Sequence, residues 1–269
     1  MHKTKKDVIM ESPSLMNLKN LLSYPFKDKK SGSKILIGSL LIFSSAIIPI
    51  LPLLIVLGYI MHIAKRIIDG DGELAMPDWD QWGEYLRDGF KWFVALLLCS
   101  IPLIIIFSIG YFVYFVSFIG LAAFEESVNP PVWSIILPFF GMGVLFLTMF
   151  IGILLALVEF VFLPAGLMHV VHTGKFSSAF HVSQWWPVLK KNFLGFLVAI
   201  IFLFGFYYFM MMAFSALYMS VVLCFVIPFA MAPLTFLVGL WTIPLFAQAY
   251  REEKPVPLAV PETEVLPAT

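Results

Sequence analysis

From Asn192 to Tyr250 the chain runs 59 residues without an Asp, Glu, Lys, Arg or His. An α-helix crosses the ~30 Å hydrocarbon core of a bilayer in about 20 residues, so this stretch must hold two helices, with an apolar turn expected between residues 215 and 228. Three further apolar blocks cover residues 35–64, 92–124 and 132–171. Only 13% of the 269 residues are charged and 61% are hydrophobic, whereas soluble domains carry about 25% charged residues. A water-soluble globular fold is excluded. The expected class is all-α: a polytopic helical membrane bundle over residues 35–251, with a basic arm at 1–34 and a disordered proline-rich tail at 252–269. The arm holds eight lysines and no apolar core, so no cleaved secretory leader is expected.

The first block is broken at its centre by Pro49 and Pro52, which remove backbone donors and interrupt a helix. Its legs, residues 31–48 and 53–68, would be only ~24 to 27 Å long, so the expected form is a hairpin of two short spans or a deep re-entrant pair. Charge chooses between a hairpin and a single crossing. Eight of the seventeen Lys and Arg precede this block, and nine fall in the loops around Lys65 to Lys91 and Lys175 to Lys191 and in the tail. A hairpin puts all seventeen on one side; a single crossing divides them eight to nine, against the positive-inside rule. Both termini and both large loops are therefore expected in the cytoplasm, with Glu125 and Glu126 outside.

Those two loops carry aromatic stripes at helical spacing: Trp79, Trp82, Leu86, Phe90 and Phe93 in the first, and Val182, Trp185, Leu189, Phe193 and Phe196 in the second. Tryptophan favours the headgroup level, so residues 78–91 and 178–191 are expected to form amphipathic interfacial helices anchored by Trp79, Trp82, Trp185 and Trp186. The alternative is that each packs beneath its own bundle. The stripes align at an offset of 103 residues, pairing Trp82 with Trp185, as an internal repeat would.

The motif that runs through the first loop is Gly58-Tyr59, Arg66, Gly70-Asp-Gly-Glu73, Pro77-Asp-Trp79-Asp-Gln-Trp82-Gly-Glu and Asp88-Gly89. It resembles the signature of the uncharacterised prokaryotic membrane proteins catalogued as domain of unknown function 4013, and with Leu163-Pro164, Gly174-Lys-Phe and Ala249-Tyr-Arg251 the likeness extends over residues 20–252. The resemblance implies a multi-pass plasma-membrane protein and no particular chemistry.

Candidate chemistry is sparse. Asp69, Asp71 and Glu73 alternate as in a calcium loop, but Leu74 stands where the glycine is required and Asp80 where the closing Glu belongs. His62, His169, His172 and His181 lie at block ends without a third ligand, as interfacial caps would; a haem or chlorin ligand is the alternative. Cys99 and Cys224 sit in apolar runs as small hydrophobes. No nucleophile constellation, phosphate-cradling loop or metal motif is present. No enzyme, cofactor or nucleic-acid partner is expected; the expected partners are membrane lipids and other membrane-protein subunits. Glu159 is the exception, the one acid deep within an apolar block. It shares a stripe with Gly141, Thr148, Gly152, Gly166 and Thr173 at 100° per residue, so it is expected to face a neighbouring helix near mid-membrane, bonded to Tyr207, Tyr208 or Ser215. Whether such a carboxyl fixes packing or lines a path for a proton or substrate is left open by the residues.

Overall fold

The computed structural model describes residues 18–70, 75–122, 131–218 and 227–251. The start of the basic arm, Glu73 of the motif, the loop with Glu125 and Glu126, Cys224 and the tail lie outside the described residues. Every described element is helical. A short α1 (Leu18–Ser23) and a 3-10 turn (Tyr24–Phe26) precede α2 (Ser31–Ser44) and α3 (Leu51–Asp69). Then come α4 (Trp82–Cys99), α5 (Ile101–Ala122), α6 (Val132–Thr173), a 3-10 turn (Phe176–Phe180), α7 (Val182–Lys191), α8 (Phe193–Tyr218) and α9 (Ile227–Arg251). Five of these are long and apolar enough to cross a membrane: α3, α5, α6, α8 and α9. The 59-residue run is two helices, as its length requires.

The expected hairpin is present, and its direction follows from what each leg touches on α9. Phe43 of α2 stacks on Phe229, and the position of Gly38 meets the Phe236 ring, so α2 and α9 run in opposite senses. Tyr59 meets Phe236 and Gly70 lies against Arg251, so α3 and α9 run in the same sense. Hence α2 and α3 are antiparallel, and the reversal falls on residues 45–50. Ile50 takes a positive φ of 75° there. A β-branched residue adopts that conformation only under strain, of about 1–3 kcal/mol, which locates the tightest point of the turn.

At the other end the helices close on one another. Gly70 and Gly174 end α3 and α6 in the left-handed conformation, at φ +83° and +70°, and each N–H returns to a carbonyl of the last turn, Arg66 and Val170. Asp69 lies 3.6 Å from His172, joining the two ends. The arm, both large loops and the end of α9 meet here, and with them the described Lys and Arg. The buried core is concentrated in the same region, on Tyr59 to Ile68 of α3, Ala165 to Val171 of α6, Leu240 to Tyr250 of α9, and Tyr85, Trp185 and Leu189.

Away from that core, α5 and α6 form a long antiparallel pair whose outward side chains are exposed and apolar. Small residues set its register: Phe107 meets Gly152, Gly110 meets Thr148, Ser117 meets Gly141 and Leu137 meets Gly120. Removing side-chain bulk lets backbones approach where lipid offers no hydrophobic drive to association.

Among the described glycines, those between α3 and α4 lie hardest against neighbouring backbone. A Cβ on Gly58 would collide with the backbone carbonyl of Tyr85, and a Cβ on Gly89 with that of Leu54. Backbone cannot yield as a flexible side-chain tip can. Gly89→Val should therefore lower the thermal midpoint of the detergent-solubilised protein by several degrees or prevent its accumulation, the overpacking penalty being about 1–3 kcal/mol or more. Gly83, on the same helix with nothing within 4 Å of its missing Cβ, should accept Ala with a neutral or stabilising effect of up to about 1 kcal/mol. Equal loss in both variants would contradict the crossing.

Candidate functional site

The motif residues converge on the buried ammonium of Lys34. Its side chain is 8% exposed, and charge removed from water is costly unless every N–H finds an acceptor. Three N–H groups meet three acceptors: Asp28 Oδ2 at 2.7 Å, the Met76 carbonyl at 2.7 Å and Asp78 Oδ1 at 3.0 Å. Lys34 thereby ties the arm and the first turn of α2 to the non-helical segment 75–81. Trp79 reinforces the joint by donating its indole N–H to the Lys34 carbonyl at 3.0 Å, and it stacks on Tyr59 with ring centres 3.9 Å apart. The Tyr59 hydroxyl donates to Pro77 O at 2.9 Å and that of Tyr85 to Asp78 O at 2.7 Å. Tyr24 donates to Leu240 O at 2.7 Å, which binds the arm to α9.

The family-signature residues thus fall into two groups. Gly58 and Gly89 make the helix crossing; Tyr59, Pro77 and Trp79 make the polar joint beside it. Trp82, 42% exposed, leans on Trp79 at 5.5 Å. Gly70 and Arg66 belong to the cap of α3, and Glu73 lies outside the described residues. Lys34 and its acceptors were not singled out by sequence reasoning. Asp28 is six residues from Lys34, off any helical pairing register, and Asp78 is brought near only by the folding of α2 against segment 75–81.

The faces of the two loop helices differ from the expected stripes. Residues 75–81 are non-helical, with a turn at Trp79 and Asp80, and α4 starts at Trp82 and continues unbroken to Cys99. It buries Tyr85, Gly89 and Trp92, leaving Trp82 and Phe90 exposed. The stripe was expected at the membrane interface or packed beneath the bundle; Trp82 and Phe90 stay on the outside, and contact with α3 is made through the smallest residue of the helix, Gly89. In the second loop Trp185 is 6% exposed, donates to Ala179 O at 2.9 Å, and is buried with Leu189 and Phe196. Val182 and Phe193 are exposed. Trp186 packs on Phe162, with the Lys190 ammonium 5.1 Å from its ring centre. The tryptophans paired at an offset of 103 therefore have different surroundings. Residues 81–90 and 181–190 share one order of buried and exposed positions instead, an offset of 100, with Tyr85 and Trp185 each donating to a loop carbonyl six or seven residues back.

The second loop has its own polar joint. His169 of α6 lies 2.7 Å from the Tyr250 hydroxyl through Nδ1 and 2.9 Å from Gln184 Oε1 through Nε2. The neutral tautomer with its proton on Nε2 satisfies both contacts, the Tyr250 hydroxyl donating to Nδ1. These bonds join α6, α7 and α9. Among the described residues no group of three or more His, Cys, Asp or Glu is placed to hold a metal ion.

Glu159 faces α5, together with Gly141, Thr148 and Gly152 of the small-residue stripe. Its partner is Ser100, whose hydroxyl donates to Oε1 at 2.5 Å. The expected partners are not used: Tyr207, Tyr208 and Ser215 of α8 are exposed. The α5–α6 register brings Ser100, at the junction of α4 and α5, opposite Glu159, and register is a tertiary property. Along α6 the run of large exposed apolar residues ends at Val158 and burial begins at Ala165. Glu159 therefore stands at the base of the exposed pair, ~21 Å from Thr173 along the axis and ~40 Å from Val132.

The profile of the family described as "Protein of unknown function (DUF4013)" matches residues 41–219. That range takes in α3 to α8 and the whole signature, and is narrower than the 20–252 suggested by the residues. Neither the curated proteins nor the solved structures yield a match.

The polar joint generates a pH prediction. The hydrogen bond from Lys34, with that from the Lys30 N–H, holds the Asp28 carboxyl below its ordinary value of 3.8. A depressed carboxyl adds stability at pH above 3.8 that is lost as pH falls through its folded pKa. Wild type should lose thermal stability on acidification below about pH 4 more steeply than Asp28→Asn, and the two should run parallel from pH 5 to 8. Identical acid limbs would contradict the ion pair. Lys34→Met keeps the stem but orphans the Met76 carbonyl, so a loss of about 1–3 kcal/mol is expected at neutral pH.

Proposed function

The chain belongs to the family described as Protein of unknown function (DUF4013), and from that premise we propose a non-catalytic component of the prokaryotic plasma membrane that works through contacts with lipids and protein subunits. The observation that carries this reading is where the polar groups are used. Lys34, Tyr24, Tyr59 and Tyr85 bond to backbone carbonyls or carboxylates, and His169 to the Tyr250 hydroxyl and the Gln184 amide, which suits a framework better than a reaction centre. The outer faces of α5, α6 and α8 offer large apolar side chains to their surroundings, as lipid contact demands.

Orientation follows from charge. The basic end would face the cytoplasm, with both termini on that side. The exposed aromatics Trp82, Phe90, Phe176 and Phe180, interleaved with Arg87, Lys91 and Lys175, are suited to the headgroup level, where ring and cation are both favoured.

A second reading, a small transporter with a path near Glu159, is favoured by one observation: a half-buried acid on a membrane helix is a default functional candidate. Its bond to Ser100 at the α4–α5 junction supports a packing role instead. Glu159→Gln decides between them, because the amide keeps hydrogen-bonding capacity and loses titration. On the framework reading the variant accumulates and melts like wild type, and neither protein collapses a proton gradient across sealed vesicles. Proton leak through wild type that Glu159→Gln abolishes would overturn it.

A further inference from the structure

We propose that the cleft between α3, α4 and the end of α6 binds the phosphate of an anionic phospholipid, whose acyl chains leave along the outer face of α4. This inference rests on the lipid-contacting framework reading and assigns it a ligand class and a place.

The cleft has a polar part and an apolar lip. The polar part is a cavity of about 120 Å³, lined by His62 and Lys65 of α3, Arg87, Asp88, Lys91 and Trp92 of α4, and Val170, Val171 and Gly174 at the end of α6. The lip adjoins it through Arg87, Lys91 and Gly174, and adds Phe90, Val94, Lys175 and Phe176. Four cations, Lys65, Arg87, Lys91 and Lys175, thus face one carboxylate among the described lining residues. That carboxylate, Asp88, already has Lys91 at 3.0 Å and Arg87 at 3.5 Å. The excess is positive and suits an anion; Arg87, with its planar fork of donors, matches phosphate oxygens.

Trp92 on the cleft wall is nine-tenths buried, and its indole N–H has no acceptor among the described residues, an unusual state for a buried donor. The wall of α4 also changes character along its length. Positions 87, 90, 91, 94 and 97 share one helical face, running from Arg87 and Lys91 through Phe90 and Val94 to Leu97, which is exposed and apolar. A headgroup seated among the cations therefore has exposed hydrocarbon-compatible surface directly below it. A free phosphate or sugar phosphate would use the polar part and leave the lip idle. Basic pockets between membrane helices are a recurrent headgroup geometry.

The test uses the full chain purified in mixed micelles of phosphatidylglycerol and phosphatidylcholine, with retained lipid read by native mass spectrometry. Wild type should retain phosphatidylglycerol at least tenfold over phosphatidylcholine. Arg87→Gln with Lys175→Gln, both exposed positions, should bring the ratio below threefold while helicity and melting stay unchanged. Lys27→Gln with Lys29→Gln removes the same charge from the arm and should keep the wild-type ratio. Equal loss in both double variants would mean unspecific attraction and overturn the site, as would no preference in wild type. Displacement of the lipid by millimolar inorganic phosphate would assign the cleft to a free anion and overturn the lipid claim. None of these outcomes bears on Glu159, so the framework reading stands or falls separately on its gradient test.

Discussion

The architecture depends on the contact of α3 with α4 at Gly58 and Gly89. There two backbones touch, with the carbonyls of Tyr85 and Leu54 occupying the space that side chains would need. Approach this close sets how the first loop is threaded, because it brings the start of α4 against the middle of α3. Tyr85 then reaches Asp78, Tyr59 reaches Pro77, and Trp79 is drawn flat onto Tyr59. Moving the helices apart by the width of a methyl group would break all of these contacts together.

Lys34 closes the same region from the other side. A single buried ammonium adds little net stability, since desolvation consumes much of what its hydrogen bonds return. Its contribution is specificity. Three acceptors from two separate segments are satisfied by one arrangement of the arm, α2 and the 75–81 segment, and a slipped hairpin would strand a charge in the interior. The second loop reaches the same end through His169, Gln184 and Tyr250, whose hydrogen bonds pin α6, α7 and α9. One end of the bundle is thus built like the core of a soluble protein, while the α5–α6 pair below it is a lipid-facing stem held by small residues.

Much of this was legible in the chain. The charge-free run required two helices, the Pro49 and Pro52 pair marked the hairpin, and the Gly141 to Glu159 stripe named the face that meets α5. These properties are local or periodic. What could not be read is tertiary: that Lys34 pairs with Asp28 and Asp78, that Ser100 lies opposite Glu159, and that α4 turns Tyr85, Gly89 and Trp92 inward instead of Trp82 and Phe90. The last case is instructive, because the periodic stripe of Trp82, Leu86 and Phe90 marks an amphipathic helix without saying which of its faces meets α3. Between membrane helices the smallest residue carries the closest contact, so the glycines of the motif were better guides to the interface than its tryptophans.

The central claim is that the broken first block returns the chain to the side it came from and gathers the charge at one end. Single cysteines at Lys30, Lys65 and Lys175, in a chain whose Cys99 and Cys224 are replaced by Ala, test it most directly with a membrane-impermeant maleimide. The account predicts that all three are labelled only when the cytoplasmic face is opened, with Ile47→Cys unlabelled from that face. Labelling of the Lys30 and Lys65 positions from opposite faces would contradict it.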